Sequence, residues 1–301
     1  MENTKPKIIV VVGPTASGKT SLSITLAKKF SGEVISADSR QVYKNLDIGT
    51  EKITKEETQG VPHHLIDVCE INTVYTAVDF KQDGEAAIAE IINNKNLPIL
   101  AGGTFFYIDT LLGKVTTPEA PPNPKLRAEL EKKDTAVLYE SLLKLDPRRA
   151  EDIDPHNKRR IVRALEVVAA LGTVPELPEA TELPYDICMI GIEVDKKELR
   201  TRIRRRAEEA LTRGLIEETQ QLLESGVTKA RLSEIGLEYR VVMEYLDNDI
   251  DEAGLIQKIE EKNWQYAKRQ IMWLKRDDSI QWIELNEINK ITAEVEKFLT
   301  S

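Results

Sequence analysis

The sequence predicts an α/β protein with a P-loop parallel-sheet core, helices on both faces of the sheet, and a helical insertion domain. Three observations support this prediction. A phosphate-loop motif occupies residues 13–20, directly after the apolar run 8–12. Strand-like and helix-like runs then alternate as far as residue 113, which is typical of a parallel sheet. Two proline-rich stretches, 116–124 and 174–184, enclose a helical segment.

The motif at 13–20 has the G-x-x-x-x-G-K-[ST] spacing, and it lies between a strand-like run and a helix-like run. Its glycines let successive N–H groups point at a phosphate, and the helix presents its positive end to the same anion. The motif therefore predicts binding of a di- or triphosphate without saying which. The predicted site comprises Gly13, Pro14, Thr15, Ala16, Ser17, Gly18, Lys19 and Thr20, with the Thr20 hydroxyl as a magnesium ligand.

Further strands are predicted at 33–37, 64–68 and 97–101, with a helix over 78–93 and another after 102–104. Ligands of parallel sheets bind outside the carboxyl ends of the strands. Asp38 follows the strand 33–37, so it should face the same crevice as the P-loop. Two interpretations remain open from spacing alone, a proton acceptor and a cap for a turn.

The composition then indicates the domain organisation. Residues 125–172 are helical in pattern, 187–194 resemble a core strand, and 195–301 are mostly helical. We therefore predict a first core part at 1–115, a helical insertion at 116–184, and core completion with C-terminal helices at 185–301.

A net charge of −9 argues against a generally basic nucleic-acid-binding surface, although local basic patches remain possible. No apolar run approaches the roughly 20 residues that span a bilayer, and no signal-peptide pattern is present. We therefore expect a cytoplasmic protein with no membrane partner.

Three basic stretches are candidates for RNA or phosphate contacts. One is the amphipathic helix 158–166. Another is 264–270, where basic and aromatic side chains lie close together in the sequence. In the third, 200–209, Arg202 and Arg206 lie on one helix face with no acid four residues later, which favours a nearby anion. For each stretch, a solvated charged face is the simpler alternative.

One absence is informative. P-loop NTPases usually place an acid after an apolar strand to help hold Mg²⁺. Here the strand 97–101 is followed by Gly102, Gly103 and Thr104, so the site does not look built for hydrolysis of a γ-phosphate.

Taken together, the chain resembles the tRNA dimethylallyltransferases, also called tRNA isopentenyltransferases. The resemblance is carried, in order along nearly the whole chain, by GPTASGKT (13–20), ADSRQVYKNLDIGTEK (37–52), PHHLIDV (62–68), DF (79–80), AGGTFFYI (101–108), RRIVRALEV (159–167), RIRRRAEEAL (202–211) and AKRQIMWLK (267–275). It implies transfer of a dimethylallyl group from dimethylallyl diphosphate, with Mg²⁺, to N6 of an adenosine. That adenosine lies 3′ of the anticodon in tRNAs reading codons that begin with U.

The resemblance also implies roles for individual residues. Asp38 would be the general base, and Lys19, Thr20 and Arg206 would hold the diphosphate. The implied partner is the tRNA anticodon stem-loop, and we expect the enzyme to be monomeric. The implied tRNA-contact positions are Asp38, Ser39, Arg40, Gln41, Thr104, Arg127, Arg159, Arg160, Ile161, Val162, Arg163, Lys268, Arg269 and Gln270.

Three stretches depart from the family pattern. Phe105 and Phe106 are expected to narrow the prenyl pocket, whereas 236–240 and 263–264 affect fine tRNA contacts rather than the reaction. The alternatives are an adenylate isopentenyltransferase, a P-loop kinase and a non-catalytic RNA-binding module. The helical insertion argues against the first, because a free nucleotide does not need it. The missing acid argues against the kinase, and the complete P-loop argues against a module without catalysis.

Overall fold

The computed structural model describes residues 5–176 and 182–301, so part of the second proline-rich stretch lies outside the described residues. The chain divides into two compact units, Met1–Gly113 with Leu183–Ser301, and Lys114–Glu182. The strands are β1 (Lys7–Val12), β2 (Gly32–Ala37), β3 (His63–His64), β4 (Leu97–Gly102), β5 (Asp186–Glu193) and β6 (Gln281–Glu284).

The helices of the first unit pack on both faces of the sheet and form further helical structure beside it. They are α1 (Lys19–Phe30), α2 (Ala77–Asn93), α3 (Phe105–Leu111), α8 (Lys196–Thr212), α9 (Leu215–Glu224), α10 (Lys229–Ile235), α11 (Leu237–Leu246), α12 (Glu252–Leu274) and α13 (Ile288–Thr300). The second unit contains α4 (Pro124–Glu131), α5 (Thr135–Leu145), α6 (Pro147–Glu151) and α7 (Lys158–Leu171).

All six strands are parallel, in the order β3-β2-β4-β1-β5-β6. Their residues are apolar and often β-branched because both faces of the sheet are covered. Alternate β1 residues point to opposite faces: Val10 packs in the cluster that contains Phe80 of α2, and Val11 in the cluster that contains Leu22 of α1. The predicted α/β parallel-sheet core with helices on both faces is confirmed.

Two strands differ from the sequence prediction. β3 ends at His64 rather than extending to residue 68, because Leu65 and Asp67 have φ values of 62° and 57°, in the left-handed region. β6 was missed within a stretch predicted to be mostly helical. It is four residues long and only Ile283 is buried, so its apolar signal is weak.

The second unit has its own apolar core, built from α4, α5, α6 and α7. Leu138 and Leu142 of α5 are fully buried there against Ile161 and Leu165 of α7. No helix among the described residues is both long enough and apolar enough to cross a membrane.

Candidate active site

The carboxyl ends of three neighbouring strands bring the predicted chemistry together. The P-loop follows β1, Asp38 follows β2, and Gly103 follows β4, and these ends are in register. They border an open cleft, to which α8, α11 and α12 also contribute. Its principal side chains are those of Lys19, Thr20, Asp38, Arg40, Gln41, Glu51, His63, Arg206, Glu238, Asn263, Tyr266 and Gln270.

The P-loop has the backbone geometry that its glycines predict. Gly18 has φ 98° at the start of α1, and a Cβ there would lie 2.8 Å from Leu285 Cδ2, so a side chain is excluded. Ser17 N–H donates to the Pro14 carbonyl over 3.2 Å, which closes the turn. The buried Ser17 Oγ has no hydrogen-bond partner among the described residues. The loop is therefore a tight turn that leads directly into a helix N-terminus.

Lys19 lies in the cleft, where its Nζ donates to the Pro14 carbonyl over 2.8 Å. The pKa of Lys19 is lowered to about 8, first by burial and then by the Arg206 charge, against the opposing charges of Asp38 and Glu51. A partly desolvated ammonium beside a second cation provides a strong site for an anion.

Asp38 caps the turn that follows β2, which is one of the two roles that the sequence left open. Its Oδ1 accepts from the backbone N–H groups of Arg40 over 2.8 Å and Gln41 over 3.3 Å, as in a turn cap. The structure shows no hydrogen bond to Oδ2 from the residues it describes. One oxygen therefore fixes the side chain while the other is available to accept a proton in the cleft.

Arg40 is held rigidly beside Asp38. Its Nη1 lies 3.0 Å from Glu238 Oε2, and its guanidinium lies 5.4 Å from the centre of the Tyr266 ring. Asn263 Nδ2 donates to the other oxygen of Glu238 over 3.0 Å. Two of the stretches that depart from the family pattern thus meet in the cleft through Glu238 and Asn263.

Arg206 also faces the cleft, and its Nη1 lies 2.8 Å from Glu51 Oε2. Arg202 pairs instead with Glu198, one turn earlier on α8, and donates to the Ser17 carbonyl over 3.3 Å. Neither arginine has an acid four residues later, as the sequence shows, but one acid precedes Arg202 by one turn and the acid that pairs with Arg206 is distant in sequence. Arg206 lines the cleft and Arg202 does not.

Gln270 joins the two loops that border the cleft. Its Oε1 accepts from Thr15 N–H over 2.7 Å, and its Nε2 donates to the Gly103 carbonyl over 3.0 Å. A Cβ on Gly103 would lie 2.4 Å from that Nε2, so the close approach needs glycine. Thr104 Oγ1 accepts from Ser39 N–H over 3.0 Å, which holds the segments after β2 and β4 together.

The two phenylalanines do not narrow the cleft. Phe105 packs in the core between the sheet and α2, and Phe106 is 46% exposed. Neither lines the cleft, because α3 begins at Phe105 and directs both side chains elsewhere. On α12, Lys268 and Arg269 are exposed, and the Arg269 guanidinium lies 5.9 Å from the Tyr266 ring centre.

The candidate tRNA residues of the second unit fall into three groups. Arg159 and Arg160 are exposed in the first turn of α7. Ile161 and Val162 are buried in the apolar core of the unit, so their side chains do not lie on its surface.

The third group, Arg127 and Arg163, forms ion pairs with the buried Glu166. Arg127 Nη2 lies 2.6 Å and Arg163 Nη1 3.7 Å from Glu166 Oε2, and both arginine side chains stay partly exposed. Arg163 also donates to the Ala120 carbonyl over 2.8 Å. Each guanidinium is thus held in place with part of its surface open to solvent.

Glu51 and His63 lie in the family-like stretches 37–52 and 62–68, but the sequence assigns a role to neither. Only the fold reveals that Glu51 faces Arg206. His63 Nδ1 bonds to the Val61 carbonyl, which leaves a buried Nε2 without a partner among the described residues. Within the described ranges, no group of three or more His, Cys, Asp or Glu could hold a metal ion.

Comparison with known proteins agrees with this arrangement. The family model described as IPP transferase matches residues 41–277. The chain is 39% identical to a tRNA dimethylallyltransferase of Thermomicrobium roseum, over 95% of this chain and 88% of that protein. It is 38% identical to one of Staphylococcus carnosus, over 99% of both chains. The chain belongs to the IPP transferase family.

Solved structures support the same assignment for this IPP transferase. The full-length tRNA isopentenylpyrophosphate transferase of Bacillus halodurans superposes with a TM-score of 0.71 at 33% identity, covering 99% of both chains. A eukaryotic dimethylallyltransferase acting on tRNA gives 0.79 at 30% identity, covering 93% of this chain and 74% of that chain. The expected family, α/β fold and enzyme class, a prenyltransferase, are confirmed.

Proposed function

We propose that this IPP transferase moves a dimethylallyl group from dimethylallyl diphosphate to N6 of the adenosine immediately 3′ of the anticodon, in tRNAs that read codons beginning with U. The observation that carries the proposal is the placement of Asp38 in the same cleft as Lys19 and Arg206. A proton acceptor therefore borders a site for a leaving diphosphate. The printed names of the relatives support tRNA as the acceptor.

In the proposed reaction, the bond from N6 to the allylic carbon forms while the bond from that carbon to the diphosphate oxygen breaks. Asp38 takes the proton that N6 loses. The P-loop N–H groups, Lys19 and Arg206 stabilise the negative charge on the departing diphosphate, where charge develops most in the transition state. The adenine must leave its base stack in the tRNA so that N6 can reach the allylic carbon of the donor in the cleft.

We propose Mg²⁺ as the metal ion. The Thr20 hydroxyl is exposed in the cleft, and Mg²⁺ is commonly held by few protein groups together with substrate phosphate oxygens. A bound Mg²⁺ would neutralise part of the diphosphate charge. Thr20 would provide the protein ligand, and Lys19 would bind phosphate oxygens beside it.

For the tRNA partner, we propose contacts by the exposed Arg159 and Arg160 of the insertion, and by Lys268 and Arg269 of α12. Arg127 and Arg163 would add contacts through their exposed surface. We further propose a monomer that acts in the cytoplasm.

A second candidate, the adenylate isopentenyltransferase, shares the donor but needs no tRNA. A helical unit with exposed arginines has no purpose for a free nucleotide, so the observation favours tRNA. The deciding experiment offers the enzyme AMP and an anticodon stem-loop together, with dimethylallyl diphosphate and Mg²⁺. Prenylation of the stem-loop supports the proposal, and prenylation of AMP alone contradicts it.

A further inference from the structure

Glu51 is an acid at the point where the proposed donor site needs cations. Its carboxylate lines the cleft and lies 2.8 Å from Arg206, and neither side chain is more than 38% exposed. Burial raises the pKa of Glu51 and the Arg206 charge opposes that rise, while the Glu51 charge in turn opposes the lowering of the Lys19 pKa by burial. The pair is therefore part of the cleft rather than a solvated surface ion pair.

The backbone is built to hold Glu51 in this place. Glu51 has φ 52°, a left-handed conformation that a non-glycine residue adopts only when its surroundings fix it. Gln41 Nε2 donates to the Glu51 carbonyl over 3.2 Å. The buried Lys52 donates to the Tyr43 carbonyl over 2.9 Å.

Further anchoring comes from Glu218 on α9. Its carboxylate accepts from the N–H groups of Asp47, Ile48 and Gly49 over 2.8–3.0 Å, and from the Tyr239 hydroxyl over 2.7 Å. The segment 47–52 is thus tied at both ends. Its rigidity keeps the Glu51 carboxylate against one side of the Arg206 guanidinium.

The acidic and basic side chains that line the cleft are equal in number. Three acids, Asp38, Glu51 and Glu238, face three bases, Lys19, Arg40 and Arg206. The P-loop motif also binds nucleoside triphosphates, so the motif alone does not discriminate a diphosphate from a triphosphate. A third phosphate reaching toward Arg206 would meet a carboxylate already in contact with it.

We propose that Glu51 is a specificity-determining residue that favours a diphosphate over a triphosphate in the P-loop cleft. The inference rests on the proposed function for a diphosphate as the natural ligand. Glu51 leaves Arg206 free to contact one phosphate group and repels additional negative charge. The cleft of a prenyltransferase can then keep a complete P-loop among abundant triphosphates.

The test is direct binding, which does not depend on catalysis. Inorganic pyrophosphate and inorganic tripolyphosphate are titrated into the full-length protein by calorimetry at fixed free Mg²⁺, and the ratio of the two Kd values is compared. We expect Glu51→Gln to shift the ratio toward tripolyphosphate by about tenfold or more, because it removes a unit charge close to the ligand. Glu51→Asp, which keeps the charge, should retain most of the preference for pyrophosphate.

Glu209→Gln is the matched control, because it also breaks a Glu–Arg pair of α8 but in solvent, where Glu209 contacts Arg205. It should leave the ratio unchanged. A folded Glu51→Gln protein with the wild-type ratio, or an equal shift in Glu51→Asp, would overturn the inference. A shifted ratio in an enzyme that prenylates no RNA would contradict the proposed function alone.

Discussion

In the proposed mechanism, Asp38 caps a turn with one carboxylate oxygen and accepts the N6 proton with the other. Because Asn can still accept the two backbone hydrogen bonds at Oδ1, Asp38→Asn removes the proton acceptor and keeps the turn. We expect turnover to fall roughly 10²–10⁴-fold, with tRNA binding and the melting temperature nearly unchanged. Single-turnover prenylation of a stem-loop, beside a binding assay, measures both. Turnover close to wild type would remove Asp38 from the mechanism.

Lys19 makes donor binding depend on pH. Its pKa is lowered to about 8, so the free enzyme carries the cation below pH 8 and loses it as the pH rises through that value. Pyrophosphate affinity should therefore be steady from pH 7 to 8 and weaken up to tenfold per unit above it. Calorimetry across pH 7–10 tests this, with Lys19→Arg as a control that stays charged. An equally steep decline in Lys19→Arg would assign the effect to another group.

At the scale of elements, α12 stabilises the P-loop through one buried amide. Gln270→Leu leaves the Thr15 N–H and the Gly103 carbonyl without their partner. We expect a loss of about 1–3 kcal/mol in the free energy of unfolding and weaker donor binding. Gln257→Leu on the same helix is the control, because Gln257 is exposed and bonds only to Glu261 within the described residues. Equal effects of the two substitutions on donor binding would contradict the role of Gln270.

Helix α7 makes a separate prediction. If Arg159 and Arg160 contact tRNA phosphates, each alanine substitution should lower the slope of log affinity against log salt by about one unit. Donor affinity should not change. Lys290→Ala, which removes an exposed base on α13, is the control. Identical slopes in the wild type and both arginine variants would indicate that this face of α7 contacts solvent and not tRNA.

At the scale of the whole molecule, the sequence predicted what is encoded locally. The motif at 13–20 and its flanking strand and helix lie within a single short stretch, so both the P-loop and its place in a parallel sheet could be inferred. β6 could not, because four residues with one buried side chain carry little pattern.

Charge pairing was predicted less well than the motifs. On α8, Arg204 pairs with Glu208 and Arg205 with Glu209, and the four-residue spacing of both pairs is visible in the sequence alone. The partner of Arg206 lies 155 positions away in sequence, at Glu51, and no helical spacing could indicate it.

The central claim is that this complete P-loop serves prenyl transfer and not ATP turnover. The most direct measurement is mass spectrometry of an anticodon stem-loop after incubation with the enzyme, dimethylallyl diphosphate and Mg²⁺, with ATP present and phosphate release monitored. We expect a gain of one C5H8 unit on the adenosine 3′ of the anticodon and no steady phosphate release. Phosphate release from ATP that is abolished by Lys19→Ala, with an unmodified stem-loop, would contradict it.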